Sequence, residues 1–154
     1  MIPTWLGRSA YRVANVGLRV VSLILRPNTR GVKCLVCHGD EVLLVMHSYG
    51  GQGWDLPGGF VGRGEEFADA ARRELQEELG IGEMGDQTDL GEIRRDHLGR
   101  HETIRIFRMD LPSKAGEVQG FELEKTGWFT RGDLPDHHAE LVDDVLEIDR
   151  RFAS

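Results

Sequence analysis

Two cysteines in 154 residues are too few for the disulfide framework of a small secreted domain. The amino terminus lacks the series of charged, apolar and cleavage-site regions that makes a signal peptide, so a reducing, cytoplasmic setting is the expectation. The 20 glycines follow no three-residue period, and no repeat or low-complexity tract occurs, which excludes collagen and long disorder. The apolar stretch at residues 4–25 is interrupted by Arg12, Asn15 and Arg19 and is too polar for a membrane span. Acid is absent from residues 1–30, which hold Arg8, Arg12, Arg19, Arg26 and Arg30.

What is present fits one soluble globular domain: 40% apolar and 29% charged residues, at a length that buries a core without staples. The net charge of −7 hides an asymmetry. Removing the five arginines of residues 1–30 from the 19 basic residues leaves 14 against 26 acids, a balance of −12 for the rest of the chain. Such a body repels a nucleic-acid backbone, so no duplex nucleic acid is expected as a partner. A polyanion could still bind if divalent cations lay between the acids and its phosphates.

Residues 4–25 read as a helix ended by Arg26-Pro27-Asn28, giving an apolar, basic segment over residues 1–27 and one mixed α/β domain over 28–154. Trp5, Leu6, Tyr11, Val13 and Val16 give that helix more apolar surface than a free helix exposes. Docking on its own domain or on a second copy, as a homodimer, is favoured over a membrane, because the acidic body is repelled by anionic lipid. Strands are expected at Gly31–Cys37 and Glu41–His47 around a His38-Gly39-Asp40 turn, then at Leu90–Asp96, Thr103–Asp110 and Gly120–Phe129. A helix from Glu65 to Leu79 has Ala68, Ala71, Leu75 and Leu79 on one stripe, with Gly80 placed as a left-handed cap. A last helix opens at Pro135-Asp136 and turns Leu141, Val145, Ile148 and Phe152 to one side.

Three carboxylates on the first of these domain helices, Glu74, Glu77 and Glu78, span an arc of about 100° beside the apolar stripe rather than opposite it. Like charges spaced i, i+4 repel, and more so when half buried. A hard divalent cation such as Mg²⁺ binds carboxylate oxygens and would relieve that repulsion. The three are therefore expected to converge on one cavity. A triplet alone is better explained by a solvated glutamate-rich face. Arg73, however, can pair with Glu77 at i+4 and with Asp69 at i−4, and Pro57-Gly58-Gly59 brings bare backbone to the helix, where a carbonyl can serve as a further oxygen ligand.

Written out, Gly59-x5-Glu65-x7-Arg73-Glu74-Leu75-x-Glu77-Glu78-x-Gly80-Ile81 resembles the Nudix box at every position, and the preceding Trp54-Asp55-Leu56-Pro57-Gly58-Gly59-Phe60 is also similar to that family of MutT-type hydrolases. The resemblance implies a Nudix-like α/β/α sandwich with a mixed sheet, and hydrolysis of a nucleoside diphosphate linked to another moiety. It implies Glu74, Glu77 and Glu78 as ligands to Mg²⁺ or Mn²⁺, the Gly58 carbonyl as a further ligand, and Glu65 and Arg73 as supports. One more carboxylate outside the box is expected as a ligand or general base. Glu122 is the candidate, with Glu124 two residues on along the same strand face.

Cys34 and Cys37 spell CxxC but lie three apart in a strand, on opposite faces, so they read as buried thiols rather than a metal or redox pair. His47, Tyr49, His97, Arg100 and His101 lie in or near loops that border a pocket; Tyr49 could stack on a base and Arg100 could meet a phosphate. Two rival classes stand beside the hydrolase: a non-catalytic nucleotide-binding module, which would be expected to lose a box carboxylate, and a membrane-surface protein built on the first helix. None of the box carboxylates is missing.

Overall fold

The turn at Gly39-Asp40, with Gly39 at φ 58°, reverses the chain in two residues, so the apolar runs on either side of it start as a hairpin. In the computed structural model, which describes residues 28–48, 53–97, 99–119 and 122–154, these runs are β1 (Asn28–His38) and β2 (Glu41–His47). The segment at 1–27 and its expected helix, like Tyr49, lie outside the described residues. The chain continues through β3 (Trp54–Asp55), β4 (Gly58–Phe60), α1 (Phe67–Leu79), β5 (Gln87–His97), β6 (Arg100–Asp110), β7 (Leu123–Thr130) and α2 (Glu140–Phe152).

The strands form one mixed sheet in the order β3-β2-β1-β6-β5, with β4 added to β1 and β7 to β2. β1 and β6 run parallel over their whole length, and the other pairings are antiparallel. Along the edge it does not share with β6, β1 changes partner: Cys37 and His38 pair with β2, whereas Gly31–Lys33 pair with β4. The sheet is thereby split, and the short glycine strand β4 sits in the opening.

Period-two alternation sends the two faces of the sheet into two cores. Val32, Cys34, Val36, Phe107 and Met109 pack with Ala70, Ala71, Leu75 and Leu79 of α1. Leu35, Cys37, Val42, Leu44, Ile104 and Ile106 pack with Leu141, Val142, Val145 and Leu146 of α2. The result is an α/β/α sandwich. The two cysteines are free, buried and in opposite cores, as their spacing in a strand requires.

Two helix starts and one helix-face residue differ from expectation. α1 starts at Phe67, because the Glu65 side chain is occupied by the Gly62 N–H and by Arg73. α2 starts at Glu140 rather than at Pro135-Asp136. Residues 137–139 are instead held extended along β3, where the Trp54 N–H donates to the His137 carbonyl and the Ala139 N–H to the Trp54 carbonyl, both at 2.8 Å. Phe152, the last residue of α2, is exposed, while Asp149 is buried on the inner face.

Asp149 accepts from Arg108 Nη1 of β6 at 3.0 Å to each carboxylate oxygen and from Arg131 Nη1 at 2.7 Å, so one carboxylate ties α2 to the sheet. Breaking such a pair leaves its partners without a counter-charge, while their partial exposure softens the loss. Asp149→Ala should destabilise the fold by about 2–4 kcal/mol, read as a lower denaturant midpoint at unchanged slope.

Candidate active site

The site is built where α1 crosses a strand that has no side chains to fill the space. Gly58 sits at φ 154°, and a Cβ there would lie 2.1 Å from the Val32 carbonyl oxygen. At Gly59 a Cβ would lie 2.5 Å from the Glu74 carboxyl carbon. Both positions need glycine, the first for β1 and the second for the helix carboxylate. The Cys34 N–H donates to the Pro57 carbonyl and the Val61 N–H to the Arg30 carbonyl, which makes Gly58 and Lys33 a non-hydrogen-bonded pair. Gly58 therefore turns its N–H and C=O away from β1. Its N–H donates to the Glu78 carboxylate.

Glu74 and Glu78 are buried carboxyl groups, 8% and 4% exposed. Burial, together with the charges of Glu74 and Glu122, pushes the Glu78 carboxyl up to about 8, against the weaker downward pull of Lys33 and the Gly58 N–H. Burial raises Glu74 as well, with Glu77 and Glu122 adding to it and Arg73 opposing. Among the described residues, Oε2 of Glu78 is buried without a hydrogen-bond partner. A lone buried acceptor among carboxylates is the pattern a cation resolves.

Arg73 is the organiser of the outer side. Its Nε donates to Glu65 Oε1 at 2.7 Å, Nη1 to Glu74 Oε1 at 2.6 Å and Nη2 to the Phe60 carbonyl at 2.9 Å. Glu65 also accepts the Gly62 N–H, at 2.6 Å, so the loop entering α1 is closed onto the arginine. The Arg73–Glu77 pair at i+4 is present at 3.3 Å. Asp69 is not Arg73's partner; the loop folds Glu65 back into that place with a two-point grip that the helix spacing cannot offer.

The sequence-predicted residues are thus only partly gathered. Glu74 and Glu78 face the glycine strand, and Glu122 is close enough for its charge to act on both buried glutamates. The Ser48 N–H donates to the Glu122 carbonyl at 3.0 Å, fixing this residue to the end of β2. The Glu77 side chain instead faces outward, 56% exposed. Among the described residues, no three His, Cys, Asp or Glu side chains are gathered closely enough to hold an ion. With only repulsion between them, Glu74 turns to Arg73 and Glu77 to solvent. Arg100 is exposed at the start of β6, six residues along that strand from the Ile106 that pairs with Lys33, or about 20 Å by strand rise. It is not brought to the carboxylates.

Sequence reading missed one participant, Lys33. Its Nζ meets Asp55 Oδ2 at 2.6 Å and the Leu56 carbonyl at 3.0 Å, and its charge acts on Glu78 and on His47. The signal was a single charge inside the run Val32–Cys37 of otherwise apolar or thiol side chains.

Glycine strand, buried carboxylates and arginine clamp define a class of site on an α/β/α sandwich. The family model of the NUDIX domain matches residues 27–151. The MutT NUDIX hydrolase of Burkholderia pseudomallei is 26% identical with a TM-score of 0.71, the match spanning 78% of this chain and 96% of that one. The NUDIX domain of Shewanella oneidensis NrtR, solved with ADP ribose, is 18% identical with a TM-score of 0.72 over 85% of this chain and 92% of that one. The MutT protein of Methanosarcina mazei Go1 is 22% identical with a TM-score of 0.65 over 84% and 99%. The last two likenesses show the fold alone. No curated protein matches the chain. The chain belongs to the Nudix family, as one of its pyrophosphohydrolases.

The buried glutamates set a pH dependence. Folded Glu78 keeps its proton to about pH 8, whereas the unfolded chain releases it near the ordinary 4.5, so between these values the folded state binds more protons. Stability of the metal-free protein should be highest below pH 4.5 in this contribution and fall as pH rises through 8, with Glu74 acting in the same direction. Thermal melts across that range check it: Glu78→Gln, neutral throughout, should flatten the decline and melt above the wild type on the alkaline side.

Proposed function

We propose that this enzyme hydrolyses the diphosphate linkage of a small nucleoside diphosphate derivative, a nucleotide sugar or related molecule, with Mg²⁺ or Mn²⁺ held by Glu74, Glu77, Glu78 and the Gly58 carbonyl. The observation that carries this reading is the unpartnered, buried Glu78 oxygen among carboxylates that repel one another. Oxygen donors of this kind suit a hard divalent cation, and the box resemblance names the same residues. When bound, the cation neutralises charge on the diphosphate and lowers the pKa of water.

The chain's own groups supply the rest. Arg73 holds Glu74 and, through Glu65, the entry loop, so that the glutamate faces Gly59 at van der Waals limits. Glu122, half-buried with its charge acting on Glu74 and Glu78, would take the proton of a water that attacks one phosphorus while the bridging oxygen leaves with the other phosphate. Tyr49 remains our candidate for stacking on the base. Arg100 serves only a substrate whose far group reaches toward the β5–β6 turn. The ADP ribose bound by the NUDIX domain of NrtR is a molecule of the proposed class, on a domain of the same fold.

No helix among the described residues is long and apolar enough to cross a membrane. Two free, buried thiols suit a reducing compartment, and we read the protein as cytoplasmic, with residues 1–27 as the candidate contact of a homodimer.

Turnover of a panel of nucleoside diphosphate derivatives should need added Mg²⁺ or Mn²⁺ and stop with chelator. Glu77→Gln and Glu78→Gln should each lower turnover by roughly 100-fold or more at unimpaired folding, since each removes charge that holds the cation. Undiminished turnover after exhaustive metal removal, or activity lost only in step with melting temperature, contradicts the proposal.

A further inference from the structure

The Lys33–Asp55 pair is buried enough to be costly: the two side chains are 17% and 23% exposed. Ion pairs in such places stabilise little beyond what an apolar pair of the same volume would, so their use lies in direction rather than strength. Here the direction is specific. Lys33 Nζ donates to both Asp55 Oδ2 and the Leu56 carbonyl, while the other Asp55 oxygen accepts the Leu56 N–H at 2.7 Å. Both polar ends of one residue's backbone are thus gripped by one ion pair. The next carbonyl, of Pro57, accepts the Cys34 N–H at 2.8 Å, and the residue after it is Gly58, whose N–H meets Glu78.

By strand alternation Lys33 belongs with Leu35 and Cys37, on the face that packs against α2. Glu78 approaches from α1 on the other side. The glycine strand is therefore fastened from behind at the place where the carboxylate meets it from the front. β4 itself is three residues long and, among the described residues, pairs only with β1, so this pair is the side-chain fastening immediately upstream of it.

Resting on the reading of the carboxylate cluster as a cation site, we propose that Lys33 is a positioning residue for that site: with Asp55 it fixes the Leu56–Gly58 backbone so that Gly58 and Glu78 face each other before a cation arrives. The alternative, that Lys33 is a bystander charge, has the opposite sign. A nearby ammonium repels a divalent cation, so removing a bystander would tighten binding.

The test is Mn²⁺ binding to the metal-free protein by titration calorimetry, without substrate, alongside melting of each metal-free variant. Lys33→Met should weaken Mn²⁺ binding by about 10-fold, the lower end of what loss of a ligand-orienting partner does. Asp55→Asn, which keeps shape and the acceptor for the Leu56 N–H, should weaken it in the same direction. The double variant should bind no more weakly than Lys33→Met alone, because the two act as one unit. Should Lys33→Met fail to fold, the milder Asp55→Asn decides. Wild-type or tighter Mn²⁺ binding by a folded variant overturns the proposal, even if its melting temperature falls. Absence of Mn²⁺ binding by the wild type would instead overturn the cation site on which it rests.

Discussion

Electrostatic repulsion between buried carboxylates is the constraint around which this molecule is arranged. Glu74 and Glu78 lie one helical turn apart on the inner side of α1, both buried, with the charge of Glu122 acting on both. A cluster of that kind lowers stability unless protons or a cation neutralise it. A fold selected for stability alone would place leucines there. On the proposed function, the same carboxylates would supply the concentrated oxygen ligands that a cation serving a diphosphate needs.

Each neighbouring feature answers to that cluster. The change of partner along β1 opens the sheet at Gly31–Lys33, and the glycines of β4 fill the opening with backbone instead of side chains. Arg73 supplies counter-charge on the outer side and Lys33 on the inner side. The Gln119 N–H donates to the Glu78 carbonyl at 2.7 Å, and the Ser48 N–H to that of Glu122, so the segments on both sides of the cluster are held by backbone bonds. The two apolar cores, one on each face of the sheet, provide the rigid base on which these polar contacts keep their geometry.

Local patterns were the legible part of the chain. Apolar runs on either side of the His38-Gly39-Asp40 turn gave away β1 and β2, and the stripe ending at Gly80 gave away α1, because each depends on residues close in sequence. Ala70 escaped the stripe yet is fully buried, since the glycine strand lets the sheet approach α1 over a wider arc than one row of side chains. The start of α2 was misplaced because Trp54, more than eighty residues upstream, holds residues 137–139 extended. In the site, spacing singled out Glu74, Glu77 and Glu78, and the box resemblance added Gly58. Spacing could not show that Glu65 would replace Asp69 on Arg73, that Glu77 would turn outward, or that Arg100 would sit far along the hairpin. Those outcomes follow from loop closure, mutual repulsion and strand length.

The central claim is that Glu78 is a buried, charge-deprived cation ligand, and the carboxyl ¹³C shift of Glu78 followed against pH tests it most directly. In metal-free protein the titration should centre near pH 8, and saturating Mg²⁺ should move it well down, because the cation favours the ionised form. A midpoint near the ordinary 4.5 without metal, unmoved by Mg²⁺, would contradict the account.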